Sequence, residues 1–352
     1  MDFVDTGCVI VVGCSLLYII SDCIIIGMNK QKITICTIGG ASQDVFISGA
    51  EISSKCNLKT KECVESFPQG AKLSVDNIFF DTGGGATNAA VTFARQKMST
   101  TYIGKLGHDP AGEAIVKVLS TEGVSTENVM YHPKLGSQYS TILLSESGER
   151  TIFIYRGAAN SHTVDDYKSV DFSQFDWLYI SSLAGAMDAL ETIVKRAHEA
   201  GVKIAINPGD GELKDAQRLI KLLEYVTLLS VNKDEAKMIV VGETVQDLAV
   251  ELSKKVKYVL VSDGPSGSVA TDGQKLVTAG MYEDVPVVDR TGAGDAFTSG
   301  FIVKIAEGAG IETAITFGSA NSTSVVGAIG SKTNILDQSA TVHAMPLETS
   351  II

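Results

Sequence analysis

Patterned cysteine is the first thing this chain lacks. Three of its six cysteines (Cys8, Cys14, Cys23) sit in an apolar N-terminal stretch, and Cys36, Cys56 and Cys63 form no CxxC pair. Its five histidines are scattered and build no HExxH. Neither a disulfide framework nor a structural zinc is expected, and a reducing cytosol fits best. A basic surplus is missing too: 29 Lys and Arg against 41 Asp and Glu leave a formal net charge of −12. So acidic a body repels nucleic acid and anionic lipid, and neither is expected as its partner. Any phosphate site must then be made locally, from backbone amides, a helix end and a metal ion. Three nucleotide signatures also fail. The nearest approach to a Walker A loop, Gly327-Ala-Ile-Gly-Ser-Lys332-Thr333, has the wrong spacing. The first predicted strand runs into GGASQD without the third glycine of a dinucleotide fingerprint, and neither HRD nor DFG occurs.

What is present describes a folded protein with a substantial core: 45% of the 352 residues are hydrophobic and 20% charged. Gly7 to Met28 is apolar or small almost throughout, with Asp22 its single charge, and is long enough to cross a bilayer as a helix. The acidic residues Asp2 and Asp5 before it, and the lack of a small-residue cleavage site after it, argue against a cleavable signal. Lys30 and Lys32 follow, which would leave the C-terminal body in the cytoplasm. Three readings compete for residues 1–32: a membrane tether, a non-native leader from an upstream start, and a segment packed on another copy. The main body is expected from residue 33 to 340, with β excursions near 45–80 and 137–156, and residues 341–352 are expected as a tail.

Along that body, Ile33–Ile38 alternates and reads as a first core strand, ending in a polar loop that carries Asp44. Short strands are expected at Ala71–Val75 and Ile78–Phe80. The glycine turn Asp81-Thr82-Gly83-Gly84-Gly85-Ala86-Thr87-Asn88 then precedes a helical run with Ala90, Val91 and Ala94 on one face. Tyr139–Leu144 and Arg150–Tyr155 flank Ser147-Gly148 as a hairpin. Strand and helix patterns then alternate. Strands are expected at Trp177–Ile180, Val202–Ile206, Val226–Val231 and Tyr258–Val261, with helices marked by Leu190–Ala197 and Leu213–Leu223. This alternation predicts a mainly parallel sheet covered by helices on both faces, with ligands at the C-terminal ends of its strands. A two-residue hairpin at Asp272-Gly273 and a helix over Ile311–Val326 complete the pattern.

The stretch that organises the rest is Asp289-Arg290-Thr291-Gly292-Ala293-Gly294-Asp295. A glycine turn feeding a helix points unpaired amides one way, with the positive end of the helix dipole behind them, which cradles an anion. A carboxylate beside a phosphate needs a task, such as taking a proton from an attacking hydroxyl; the competing reading of Asp295 is a plain helix cap. Together the motifs resemble the ribokinase-like (PfkB) carbohydrate kinases. Gly83-Gly84 with Asn88 is similar to the first signature of that family, Asp289–Asp295 to the second, Asn232-Lys-Asp-Glu235 to its NxxE motif, and Ser262-Asp-Gly264-Pro-Ser-Gly267 to its nucleotide-side TxGxxG loop. They occur in the family's order and span residues 33 to 337.

The resemblance implies an α/β fold, a ribokinase-like three-layer αβα sandwich with a mostly parallel central sheet and a small β lid. It implies transfer of the γ-phosphoryl group of ATP to a hydroxymethyl group of a small sugar or sugar derivative. Asp295 would be the general base, and the amides of Gly292, Ala293 and Gly294 the anion hole. Asn232, Ser262, Gly264, Gly267 and Asn321 would face ATP, and Glu235 would hold Mg²⁺ through water. Asp44, Gly84, Gly85, Asn88 and Arg156 would meet the substrate, with solvation the competing reading of Arg156. Asp289 and Thr291 mark where relatives bind K⁺. Lid strands in relatives often pair between subunits, which makes a homodimer the expected assembly. Three departures stand out. Arg290 replaces a small or β-branched residue, Gly85 replaces the lysine of ribokinases proper, and the loop 327–333 lacks the usual pattern, which puts K⁺ activation in doubt. A nucleoside (adenosine-like) kinase and a non-catalytic sugar- or nucleotide-binding sensor are the rival readings.

Overall fold

Residues 32–49, 53–56, 63–144, 150–282 and 285–352 are described here from a computed structural model. The apolar stretch 7–28 and the turn at Ser147-Gly148 lie outside them. Among the described residues no helix is long and apolar enough to cross a membrane.

The chain enters through β1 (Thr34–Ile38) and turns at once into β2 (Ser42–Ser48); β3 (Ser53–Cys56) and β4 (Cys63–Ser66) pair as a small antiparallel ribbon. Strand β5 (Asn77–Gly83) feeds directly into α1 (Gly85–Arg95), followed by β6 (Ser99–Ile103), β7 (Lys105–Gly107), α2 (Pro110–Thr121) and β8 (Met130–His132). The antiparallel pair β9 (Gln138–Leu144) and β10 (Arg150–Tyr155) comes next, as the hairpin pattern predicts. Then the alternation begins: β11 (Trp177–Ile180), α3 (Met187–Glu199), β12 (Lys203–Ile206), α4 (Asp210–Leu213), α5 (Ala216–Leu222), β13 (Leu228–Asn232), α6 (Lys233–Ile239), α7 (Val245–Ser253) and β14 (Tyr258–Ser262). Strands β15 (Ser268–Thr271) and β16 (Lys275–Ala279), helices α8 (Ala293–Ala306) and α9 (Ile311–Val326), and β17 (Leu347–Ile351) complete the chain.

Nine strands form the central sheet in the order β17-β16-β15-β14-β13-β12-β11-β1-β6. The run from β14 to β6 is parallel, and the other three strands are antiparallel. Strand β11 shows why both faces need covering: all four of its residues are buried. Leu178 and Ile180 join one core with α3, α5 and α7, whereas Trp177 and Tyr179 join another with Phe93 of α1 and Phe301 of α8. Those two cores make three layers. A second sheet, β10-β9-β2-β5, forms the lid, and its strands β2 and β5 flank the glycine turn at the start of α1. The chain therefore crosses between layer and lid at Gly39–Ala41 and again at Gly83-Gly84.

Several local expectations are corrected. Asp44 stands in a lid strand, because the chain reverses within three residues of β1 and pairs at once with β5 and β9. Residues 71–75 alternate but find no strand to pair with and form none. The single helix expected over 213–223 breaks in two, because the Asp215 carboxylate caps a new start by accepting from Arg218 N at 3.4 Å. The loop between β15 and β16 has three residues rather than two, since Asp272 Oδ1 accepts from both Gln274 N (3.0 Å) and Lys275 N (2.9 Å). The expected tail ends in β17, which pairs along the free edge of β16.

Candidate active site

Asp289 starts the construction. It is buried, and its Oδ1 accepts from Thr291 N (3.0 Å) and Thr291 Oγ1 (2.7 Å), which folds the chain back so that Gly292 can enter α8 at φ +81°. A Cβ at Gly292 would lie 2.6 Å from Ser331 Cβ, so this turn and the loop 330–333 are in close contact. One step on, Gly294 is exposed and a Cβ there would meet nothing within 4 Å. The space beside Gly294 is thus open, as an anion cradle requires, while the Ala293 N–H reaches Arg290 O at 3.3 Å within the turn.

Asp295 occupies the first turn of α8, partly buried. Its Oδ2 accepts from Asn88 Nδ2 at 2.8 Å, and a Cβ at Gly85 would fall 3.0 Å from its Oδ1. The two glycine turns, 207 residues apart when counted from Asn88 to Asp295, therefore meet at this carboxylate. Burial raises the Asp295 pKa above the ordinary carboxylate range, while the Asn88 hydrogen bond and the charge of Lys332 pull it back. A carboxylate raised in this way is a stronger base near neutral pH. Beneath it, Ser299 Oγ lies 2.6 Å from Asp295 O and 2.9 Å from Thr92 Oγ1, tying α8 to α1.

On one side of α8 lies a cavity of about 310 Å³, lined by Ser262, Gly264 and Gly267 together with Arg290, Ala293, Gly294 and Phe297. The α9 residues lining it are Ser319, Ser322, Thr323 and Val326, whose spacing marks one helical face. Asn321 points the other way. It is fully buried, donates to Ala296 O (2.8 Å) and accepts from Leu336 N (2.9 Å), so its expected place on the nucleotide side is corrected to a bracket between α8, α9 and the loop after α9. Arg290 is exposed and faces the cavity beside Gly294. Met281, Tyr282 and Phe297 also line it; no motif marked them.

Asn232 and Glu235 form a reciprocal cap on α6: Asn232 Oδ1 accepts from Glu235 N (2.9 Å), and Glu235 Oε2 accepts from Asn232 N (2.8 Å). Asn232 does not line the cavity. Burial raises the Glu235 pKa, helped by the negative charges of Asp210 and Asp234. A nearby cation would relieve that repulsion. Among the described residues no three carboxylate, histidine or cysteine side chains are placed to hold a metal ion together. Glu235 therefore suits a metal held through water, as Mg²⁺ commonly is. Asp289 is already well supplied with donors. Its Oδ1 accepts from Arg150 Nη1 at 3.1 Å besides the two Thr291 donors, and its Oδ2 accepts from Gly330 N at 3.3 Å. The Arg150 guanidinium, brought by lid strand β10, thus pairs with Asp289.

On the lid side, Asp44 is buried and its Oδ1 has no protein partner. A Cβ at Gly83 would lie 2.1 Å from Asp44 Oδ2, so this carboxylate sits against the first glycine turn. Burial raises its pKa, and hydrogen bonds from Ser42 and Ser140 lower it. Gly84 takes φ +101° where the chain leaves β5 for α1. Arg156 is exposed just past β10, which favours its solvated reading. Two neighbours escaped the sequence reading. Asp81 stands directly opposite Asp44 in the β2–β5 register, and Lys332 is buried beside Asn88. Lys332 did carry a signal: it is the sole charged residue between Glu312 and Asp337.

The sequence profile of the pfkB family carbohydrate kinases matches residues 51–338. The chain belongs to that family. It is 25% identical over 284 residues to a ribokinase of Haemophilus influenzae, covering 78% of this chain and 90% of that protein. Among solved structures, Arabidopsis thaliana ribokinase complexed with ribose and ATP superposes with a TM-score of 0.71 at 23% identity, covering 87% of this chain and 96% of the other. The nucleoside kinase of Methanocaldococcus jannaschii does so with a TM-score of 0.70 at 21% identity, covering 87% and 96%. The fold is thus the ribokinase-like sandwich, and the protein is a phosphotransferase of the sugar and nucleoside kinase group.

Proposed function

We propose that this kinase transfers the γ-phosphoryl group of ATP to a hydroxymethyl group of a neutral, hydroxyl-rich sugar. The observation that carries the reading is Asp295. It lies in the first turn of α8, bonded to Asn88 of α1 and next to Gly294, which lines the 310 Å³ cavity. The adenine and ribose would occupy the cavity lined by Ser262, Gly264 and Gly267, with Arg290 near the phosphates. The amides of Gly292, Ala293 and Gly294 would stabilise charge on the phosphoryl group in flight. Asp295 takes the acceptor hydroxyl's proton as its oxygen bonds to phosphorus and the bond to the ADP oxygen breaks. Mg²⁺, when bound with the nucleotide, neutralises phosphate charge, and Glu235 would hold it through water.

The preference for a neutral acceptor follows from charge. Asp44 and Asp81 both carry a buried oxygen without a partner, Asp295 lies beyond them, and Lys332 is the buried cation among the three. A site with three carboxylates and one ammonium welcomes hydroxyl donors and repels a sugar acid or sugar phosphate. A coupled ADP-release screen over hexoses, pentoses, keto-acid sugars and nucleosides tests this. Turnover is expected with a neutral sugar, at equal rates in sodium and potassium salts because Arg150 already neutralises Asp289. Turnover confined to nucleosides, or to acid sugars, would overturn the acceptor class, and no turnover at all would leave a binding protein.

The lid also presents exposed apolar residues on both of its edge strands, Ile78, Phe79 and Phe80 on β5 and Ile152, Phe153 and Ile154 on β10. A second copy of the chain would cover them. Sedimentation equilibrium should report a dimer that Phe153→Asp weakens; a monomer at all concentrations refutes the pairing.

A further inference from the structure

Lys332 has no role in the transfer chemistry so far beyond its charge, yet it is 4% exposed at the centre of the site. Taking an ammonium out of water costs several kcal/mol unless its partners repay it. Holding the loop does not require that charge. Arg95 Nη1 already donates to Lys332 O (3.2 Å) and Ile335 O (2.9 Å), and Gln96 Nε2 donates to Leu336 O (2.8 Å).

The side chain does something more specific. Lys332 Nζ donates to Asn88 Oδ1 at 2.8 Å and to Thr82 O. Ser331 Oγ, with one proton to give, lies 2.9 Å from Asn88 Oδ1 and 3.2 Å from Thr82 O. An obligate donor at the amide oxygen, Lys332, and a carboxylate at the amide nitrogen, Asp295, decide which way the Asn88 amide faces. Oδ1 must look toward Ser331 and Lys332, so Nδ2 is left to donate to Asp295 Oδ2 at 2.8 Å. Turned over, the amide would set its NH₂ against an ammonium and its oxygen against a carboxylate. The hydrogen bonds to Lys332 and Asp295 would be lost together, while the Ser331 hydroxyl, which can also accept, would adapt.

We propose that Lys332 is a positioning residue for phosphoryl transfer, fixing through Asn88 the orientation in which the Asp295 carboxylate receives the acceptor's proton. The proposal rests on the reading of Asp295 as base. It connects the loop after α9, the glycine turn before α1 and the first turn of α8 into one relay. The charged and titratable groups that face this relay are Asp44 from β2, Asp81 from β5, Glu122 after α2 with its partner Arg95, and Tyr179 from β11. Burial draws the Lys332 pKa down to about 8, and the surrounding carboxylates oppose that shift.

The test compares the unaltered protein with Lys332→Met and Lys332→Gln, at saturating ATP and acceptor across pH. Lys332→Met is expected to lose about 10²-fold in kcat, the scale on which misplacing a reacting group acts, with the KM for ATP unchanged. Its acid limb should also move to higher pH, because a positive charge that favours ionised Asp295 has gone. Lys332→Gln keeps an N–H for Asn88 Oδ1 but no charge, so it should recover much of kcat while keeping the displaced limb. A Lys332→Met enzyme with unchanged kcat and limb, or a loss confined to the KM for ATP, overturns the proposal. Should that variant fail to fold, Lys332→Gln carries the test, and an unshifted acid limb there also overturns the proposal. If the unaltered protein turns over no acceptor, the kinase reading falls and this inference with it. Normal turnover with indifferent variants removes only the relay.

Discussion

Asp295→Asn should lose about 10³-fold or more in turnover, the upper range for removal of a positioned general base. The substitution keeps size and shape, and the new amide can still present its oxygen to Asn88 Nδ2 by its choice of orientation. Asp295 does not line the 310 Å³ cavity, so ATP affinity should hardly change. Single-turnover kinetics and nucleotide titration separate the two effects, and near-normal turnover would exclude Asp295 as the base. Stability should move the other way. Folding raises the Asp295 pKa, so the ionised carboxylate weakens the native state at pH above that folded value. The cost fades as the pH falls through the folded pKa and is absent below the unfolded one. An amide carries no such cost, so the variant's melting temperature should exceed the parent's at neutral pH, and the gap should close on acidification. Function here is held against stability, as is common where a charge must be kept out of water.

Gly84→Ala should damage the fold severely. Gly84 takes φ +101°, and its added Cβ would fall 2.3 Å from Gly40 O and 2.5 Å from Ala41 Cα. Both neighbours are backbone, so no side chain can swing away. The strained dihedral and the clash each cost roughly 1–3 kcal/mol. The damage would reach the site directly, because the β5–α1 turn and the β1–β2 turn carry Asp44 and Asn88. Denaturant titration should show the midpoint fall with the loss of substrate binding. Gly294→Ala supplies the contrast. Its Cβ would enter open space, so the variant should unfold like the parent, with any loss confined to phosphate handling. Equal stability of Gly84→Ala and the parent would mean that the turn can relax, against the close backbone packing seen here.

Local chemistry was legible in the sequence wherever one element states its own case. Trp177–Ile180 reads as a strand buried on both faces and is one. The helix expected over Ile311–Val326 occupies those residues, because Gly310 and Gly327 bracket an unbroken helical run. The capping pair Asn232 and Glu235 and the glycine turn before Asp295 are likewise local statements about four to seven residues. What stayed hidden depends on partners distant in sequence. Asn321 looked like a nucleotide contact until the packing of α9 on α8 showed which helical face meets the cavity. Asp44 looked like a loop residue, because nothing within it shows that β5 and β9 wait on either side.

By itself, then, the sequence determined the alternating architecture, the anion-binding turn and the carboxylate placed beside it, since each follows from periodicity or from backbone geometry that glycine alone permits. Only the tertiary structure decided the charge balance of the site. Lys332 and Asp295 are 37 residues apart in sequence, and Arg150 and Asp289 are 139 apart. Whether a buried charge is repaid depends on what lies within a few ångströms of it in space. Pattern along the chain does not record that distance, and the fold does.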